Sequence, residues 1–124
     1  MKNGGIITFP NNLSGNDYNA FTGTTGIFKA PISGRYTFGL FLVIGGGETK
    51  DEYNYNIDLK RNGSQVHWIY TSGTRSSKSE FDRRYFKADV QLDSGDTIYF
   101  DVMGHSAGLT IDWSSTIEGY LVQT

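Results

Sequence analysis

From Arg35 onward the chain alternates, with Tyr36, Phe38, Leu40, Leu42 and Ile44 on one phase and Thr37, Gly39, Phe41 and Val43 on the other. A period of two predicts a pleated strand. The second phase is itself partly apolar, so both faces should be buried, one in a sandwich core and the other against a neighbouring subunit. Next, Tyr53, Tyr55, Ile57 and Leu59 alternate with Asn54, Asn56, Asp58 and Lys60, a one-sided strand that runs into Asn62-Gly63 and then Val66, Trp68 and Tyr70. This predicts a hairpin whose second strand carries Val66, Trp68 and Tyr70 on its apolar phase, with His67 on the polar side. Phe86, Ala88, Val90 and Leu92 form another alternating run, and Asp93-Ser94-Gly95-Asp96 turns it into Ile98, Phe100 and Val102, a second expected hairpin. Leu109, Ile111 and Trp113, then Ile117, Gly119 and Leu121, supply the closing strands. No longer window spaces its apolar residues as a helix would, so the chain should be an all-β sandwich or jelly roll.

Composition sharpens this picture. The 124 residues fit one domain, 1–124, and 16 Gly against 2 Pro, with 15% aromatic residues, suit a turn-rich fold built on large rings. A net charge of −2 and a pI near 5.6 give no reason to expect nucleic acid as a partner. The longest apolar stretch, Leu40 to Ile44, is far short of the ~20 residues a membrane helix needs, so no membrane insertion is expected. Without cysteine, disulfides and thiolate metal sites are excluded.

The segment from Thr25 to Phe38 carries Gly26, Phe28, Pro31, Gly34, Tyr36 and Phe38. In that order and spacing these residues resemble the signature of the complement C1q and tumour necrosis factor-like globular domains. Leu59 to Gly63, Val90 to Asp96 and Ser115 to Leu121 follow in the family's order, so the likeness runs from about Ile7 to the C-terminus. The resemblance implies a ten-stranded jelly roll that assembles as a homotrimer and engages ligands through loops and outward faces. It places Tyr36, Phe38, Phe41, Val43 and Tyr120 in the core or the trimer interface. It also implies a non-enzymatic recognition or attachment module at an extracellular or virion surface, with a protein or carbohydrate ligand. The alternative is a purely structural trimer whose partners are capsid or fibre proteins. A start at Met1 without an apolar leader points toward a phage or bacterial particle.

The remaining motifs are weighed against this reading. Gly104-His105-Ser106-Ala107-Gly108 matches the nucleophile elbow of serine hydrolases, but a strand follows it and no histidine lies downstream to act as base, so it reads as a Gly-rich hairpin loop. His67 and His105 are the only two histidines and do not make a zinc site on their own. Asp51, Glu52, Glu80 and Asp82 lie on or beside loops and suggest calcium, against which Arg75 and Lys78 argue; no cofactor is expected. The long polar loop from Ser72 to Arg83, with Arg75, Lys78, Glu80, Asp82 and Arg83, is the first choice for a ligand surface. Asn12-Leu13-Ser14 and Asn62-Gly63-Ser64 fit the glycosylation pattern, and Trp68 and Trp113 are expected as core or interface rings ahead of sugar-stacking platforms.

Overall fold

The alternation from Arg35 becomes a long strand in the computed structural model, which describes residues 5–8, 13–16, 21–22, 25–46, 52–74, 81–106, 109–111 and 114–124. Eleven strands lie among the described residues where ten were expected, four of them only two or three residues long. They are β1 (Gly5–Ile6), β2 (Leu13–Asn16), β3 (Phe21–Thr22), β4 (Ile27–Lys29), β5 (Gly34–Gly46) and β6 (Glu52–Arg61), followed by β7 (Ser64–Thr74), β8 (Asp82–Leu92), β9 (Thr97–His105), β10 (Leu109–Ile111) and β11 (Thr116–Gln123). One sheet runs β3-β4-β9-β6-β7, with β1 beside β9. The other is built on β5, which pairs with β8 on one edge and with β11 and β10 on the other, while β2 runs parallel to β11.

Phe28 on β4 and Tyr36 and Phe38 on β5 come from opposite sheets and are fully buried. Phe28 stands edge-on to Tyr36 (5.2 Å, 69°) and to Phe38 (5.0 Å, 80°), so the rings of the signature segment join the two layers. Leu40, Leu42, Tyr55, Ile57, Leu59 and Ile98 extend the same core.

The Asn62-Gly63 hairpin forms with both residues at positive φ (49° and 85°), the geometry that lets a two-residue turn follow the strand twist. The phase of its second strand is corrected, however. Arg61 pairs with Ser64 and Lys60 with Gln65, but Leu59 pairs with His67, leaving Val66 as one extra residue in β7. A one-residue slip sends every side chain to the opposite face. Ile69 and Thr71 therefore turn inward, while Val66, Trp68 and Tyr70 stand outside, 39%, 60% and 56% exposed. Trp68 is not a core ring, and His67 is on the inward phase.

Two expected hairpins are instead corners between the sheets. Asp93–Asp96 carries the chain from β8, paired with β5, to β9, paired with β6. Leu92 and Ile98 on either side of this turn are both fully buried, facing one core from opposite layers. The turn rests on the corner before β5: Gly95 N–H donates to the Ala30 carbonyl (2.8 Å) and Ser94 Oγ to the Pro31 carbonyl (3.1 Å). The Gly-rich stretch from Gly104 likewise connects β9 in one sheet to β10 in the other; its Ala107 and Gly108 lie outside the described residues.

Candidate functional site

Thr37, Gly39 and Phe41 on β5 point away from the core and are flanked across the ladders by Asp89, Lys87 and Tyr85 on β8 and by Tyr120, Glu118 and Thr116 on β11. Phe41, Tyr85 and Tyr120 stand 36%, 52% and 39% exposed around Glu118. The Tyr85 hydroxyl donates to Glu118 Oε1, and the Tyr120 hydroxyl donates to Glu118 Oε2 at 3.3 Å. This bond to the carboxylate, with some burial, pushes the Tyr85 phenol up to about 12. Gly39 lies beneath, where a Cβ would collide with both the Tyr85 hydroxyl and the Glu118 carboxylate. At the rim Asp89 accepts from Thr37 Oγ1 and from Arg35 (3.0 Å), and these bonds, the Thr37 one foremost, hold its carboxyl below the usual range.

The other residues assigned to core or interface separate. Tyr36 and Phe38 are core, and the Tyr36 hydroxyl donates to the Ile32 carbonyl at 2.6 Å. Val43 shares the outward phase with Phe41 but is only 3% exposed, and its backbone is clasped by Ser115, whose hydroxyl accepts from Val43 N–H at 2.9 Å.

Of the proposed ligand loop, Arg75, Lys78 and Glu80 lie outside the described residues, as do Asp51, Asn12 and Trp113. Asp82 belongs to β8, where its carboxylate accepts from Arg84 Nε (3.0 Å) and from the Tyr55 hydroxyl (3.1 Å). Burial first, and the Asp82 charge second, raise the Tyr55 phenol. Arg83 points outward with its guanidinium 5.8 Å from the Phe81 ring centre. Among the described residues no three His, Asp or Glu side chains group as a metal site. Ser106 is tied to β6 rather than poised as a nucleophile, its hydroxyl accepting from Asn54 N–H (2.9 Å), while His105 Nδ1 lies 2.7 Å from the Ser106 carbonyl oxygen.

The second outward surface, on the six-stranded sheet, was not expected. Trp68 and Tyr70 stack there with ring centres 6.2 Å apart and planes at 27°. Across the ladder Trp68 faces Asp58 and Tyr70 faces Asn56. Asp58 and Asp101 are neighbours on β6 and β9 and are mostly covered; Gln65 donates to the former (2.9 Å) and Lys60 to the latter (2.8 Å). The Asp101 bond raises the Lys60 amine, and both Asp101 Oδ1 and Asn56 Oδ1 are buried with no partner among the described residues. Glu52, Asn54, Tyr70, Ser72 and Thr74 line a groove of about 310 Å³ beside the ring pair. Alternation alone pointed Trp68 inward, and nothing in the sequence marks the bulge at Val66 that turns it out.

A family model described as the C1q domain matches residues 1–122. No curated protein matches the chain. Among solved structures, the globular domain of zebrafish complement 1qA protein superposes at a TM-score of 0.63 with 18% identity, covering 98% of this chain and 87% of that one. A family 35 carbohydrate-binding module from an environmental isolate superposes at 0.48 with 21% identity, covering 97% and 85%. A second module of that type, in complex with a glucuronic acid containing disaccharide, reaches 0.36 with 18% identity, covering 95% and 93%. The last two are too loosely alike to carry anything to this chain.

Proposed function

This chain belongs to the C1q domain family, and from that premise we propose that residues 1–124 act as one non-enzymatic recognition module, working as a homotrimer at an extracellular surface. The observation that carries the reading is the outward face of β5, β8 and β11, where Phe41, Tyr85 and Tyr120 stand exposed around Glu118. Exposed aromatic rings grouped in this way are ordinary where subunits meet. Two further copies of the same chain would cover it. The glycine at position 39 lets Tyr85 and Glu118 lie flat on the sheet, which keeps the face smooth enough for close packing.

Three copies would present the opposite sheet and the Ser72 to Arg83 loop three times, so a weak contact with a protein or carbohydrate ligand is multiplied by avidity. The test is the solution mass of the chain by light scattering, beside a Phe41→Asp variant. A threefold mass that falls to that of one chain in the variant supports the reading. A monomer in both sinks the trimer.

A further inference from the structure

Trp68 and Tyr70 lie two residues apart on the outward phase of β7, mostly exposed and stacked at 27°, so together they form an apolar strip. The strip lies between two depressions. On one side is the groove of about 310 Å³ bounded by Tyr70, Glu52, Asn54, Ser72 and Thr74. On the other, Trp68 rims a cleft of about 320 Å³ at the open edge of the sandwich, with Leu59, His67, Phe86 and Lys87. The polar groups beside Tyr70 are amide, hydroxyl and carboxylate; among the described residues no lysine or arginine lines that groove, and the Arg84 guanidinium lies 3.5 Å from the Ser72 carbonyl oxygen. Across the ladder from Tyr70, the buried Asn56 Oδ1 has no donor among the described residues.

We propose that this strip is a carbohydrate-binding platform for a neutral oligosaccharide laid along β7. It deepens the recognition reading above and rests on it. A pyranose ring has an apolar C–H face bordered by hydroxyls, which suits flat rings bordered by amide, hydroxyl and carboxylate groups. The C–H faces stack on Trp68 and Tyr70, and the hydroxyls bond to Glu52, Asn54 and Ser72. An acidic glycan or a nucleic acid would bring its anions beside Glu52, the one charged side chain among the described residues that line the groove. Two depressions flanking two rings call for several sugar units, so a monosaccharide should bind much more weakly than an oligomer.

The test titrates the full chain with cellohexaose, maltohexaose and mannohexaose, and with a hyaluronan hexasaccharide as the acidic comparison, following indole fluorescence and heat. Saturable binding of at least one neutral hexasaccharide is expected, weakened about tenfold or more by Trp68→Ala or Tyr70→Ala, a loss near 1.4 kcal/mol. Both side chains are exposed, so the variants should keep the parent's thermal midpoint and circular dichroism. No saturable binding of the three neutral probes, unchanged binding in a Trp68→Ala/Tyr70→Ala double variant, or tighter binding of the acidic probe would overturn the platform. Phe41→Asp keeps the two ideas apart. A trimer that binds no sugar sinks the platform alone, whereas a wild-type monomer that binds through Trp68 and Tyr70 sinks only the trimer.

Discussion

Trp68 and Phe38 are both aromatic residues on alternating strands, yet the structure gives them opposite energetic weights. Phe38 is fully buried between Phe28 and Tyr36, so Phe38→Ala should cost about 3–5 kcal/mol of unfolding free energy. Trp68 is 60% exposed, so Trp68→Ala should change stability by no more than about 0.5 kcal/mol. Urea midpoints of the two variants against the parent decide this, and a loss of several kcal/mol at Trp68 would mean that the ring is covered after all. The bond between Tyr85 and Glu118 gives a second local test. A phenol that donates to a carboxylate resists ionisation, which is why Tyr85 stands near 12 instead of the ordinary 10.0. Glu118→Gln removes the negative acceptor, so the Tyr85 pKa should fall back toward 10.0. An ultraviolet titration, with Tyr85→Phe identifying the signal, reads that shift directly.

At the scale of elements, the turn before β9 is fixed by one carboxylate. Asp96 accepts from Asn62 Nδ2 (2.9 Å) and Arg61 (2.6 Å) in the β6–β7 hairpin and from its own Asp93 N–H (2.8 Å), so two turns are tied together. These bonds, Asn62's first, lower its pKa from 3.8 to about 2. A lowered carboxylate stabilises the fold above its unfolded value and loses that contribution as pH falls, so the clamp should be fully present above about pH 4 and fade toward pH 2. Thermal midpoints measured across that window should drop more steeply for the parent than for Asp96→Asn; parallel curves would refute the clamp. The same elements show what the sequence made legible. Strand periodicity marked β5, β6 and the Asn62-Gly63 turn, because alternation and left-handed turn residues are local properties of the chain. Sheet membership was not legible at Asp93–Asp96, since a short turn fits a hairpin and a corner equally until Pro31 and Ala30 are seen to occupy its flank. The outward aromatic strip was also hidden, because the bulge at Val66 depends on how Leu59 meets His67 across the ladder. The bonds that Asp82 accepts from Tyr55 and Arg84 were not legible either, because those side chains meet it only in the folded chain.

For the whole molecule, the arrangement of the two outward faces sets an expectation that needs no ligand. The aromatic face around Glu118 lies on the five-stranded sheet and the Trp68–Tyr70 strip on the six-stranded one, with the core between them. The two meet at one edge, where Tyr85 and Trp68 line the same cleft, so a contact over Phe41, Tyr85 and Tyr120 leaves the Tyr70 end of the strip and its groove open. If chains associate through Phe41, Tyr85 and Tyr120, folded trimer is favoured over unfolded chain by mass action, and the thermal midpoint becomes concentration-dependent. The midpoint of the parent should rise steadily over a hundredfold increase in protein concentration, while Phe41→Asp, which places a charge among apolar rings, should melt lower and at a temperature independent of concentration. Gly39→Ala should act in the same direction as Phe41→Asp by lifting Tyr85 and Glu118 off the sheet, without adding any charge. A parent midpoint that is flat with concentration would show that the aromatic face stays uncovered in solution. It would then be a second binding surface on a monomer, and the weak contacts made by each strip would gain nothing from one another.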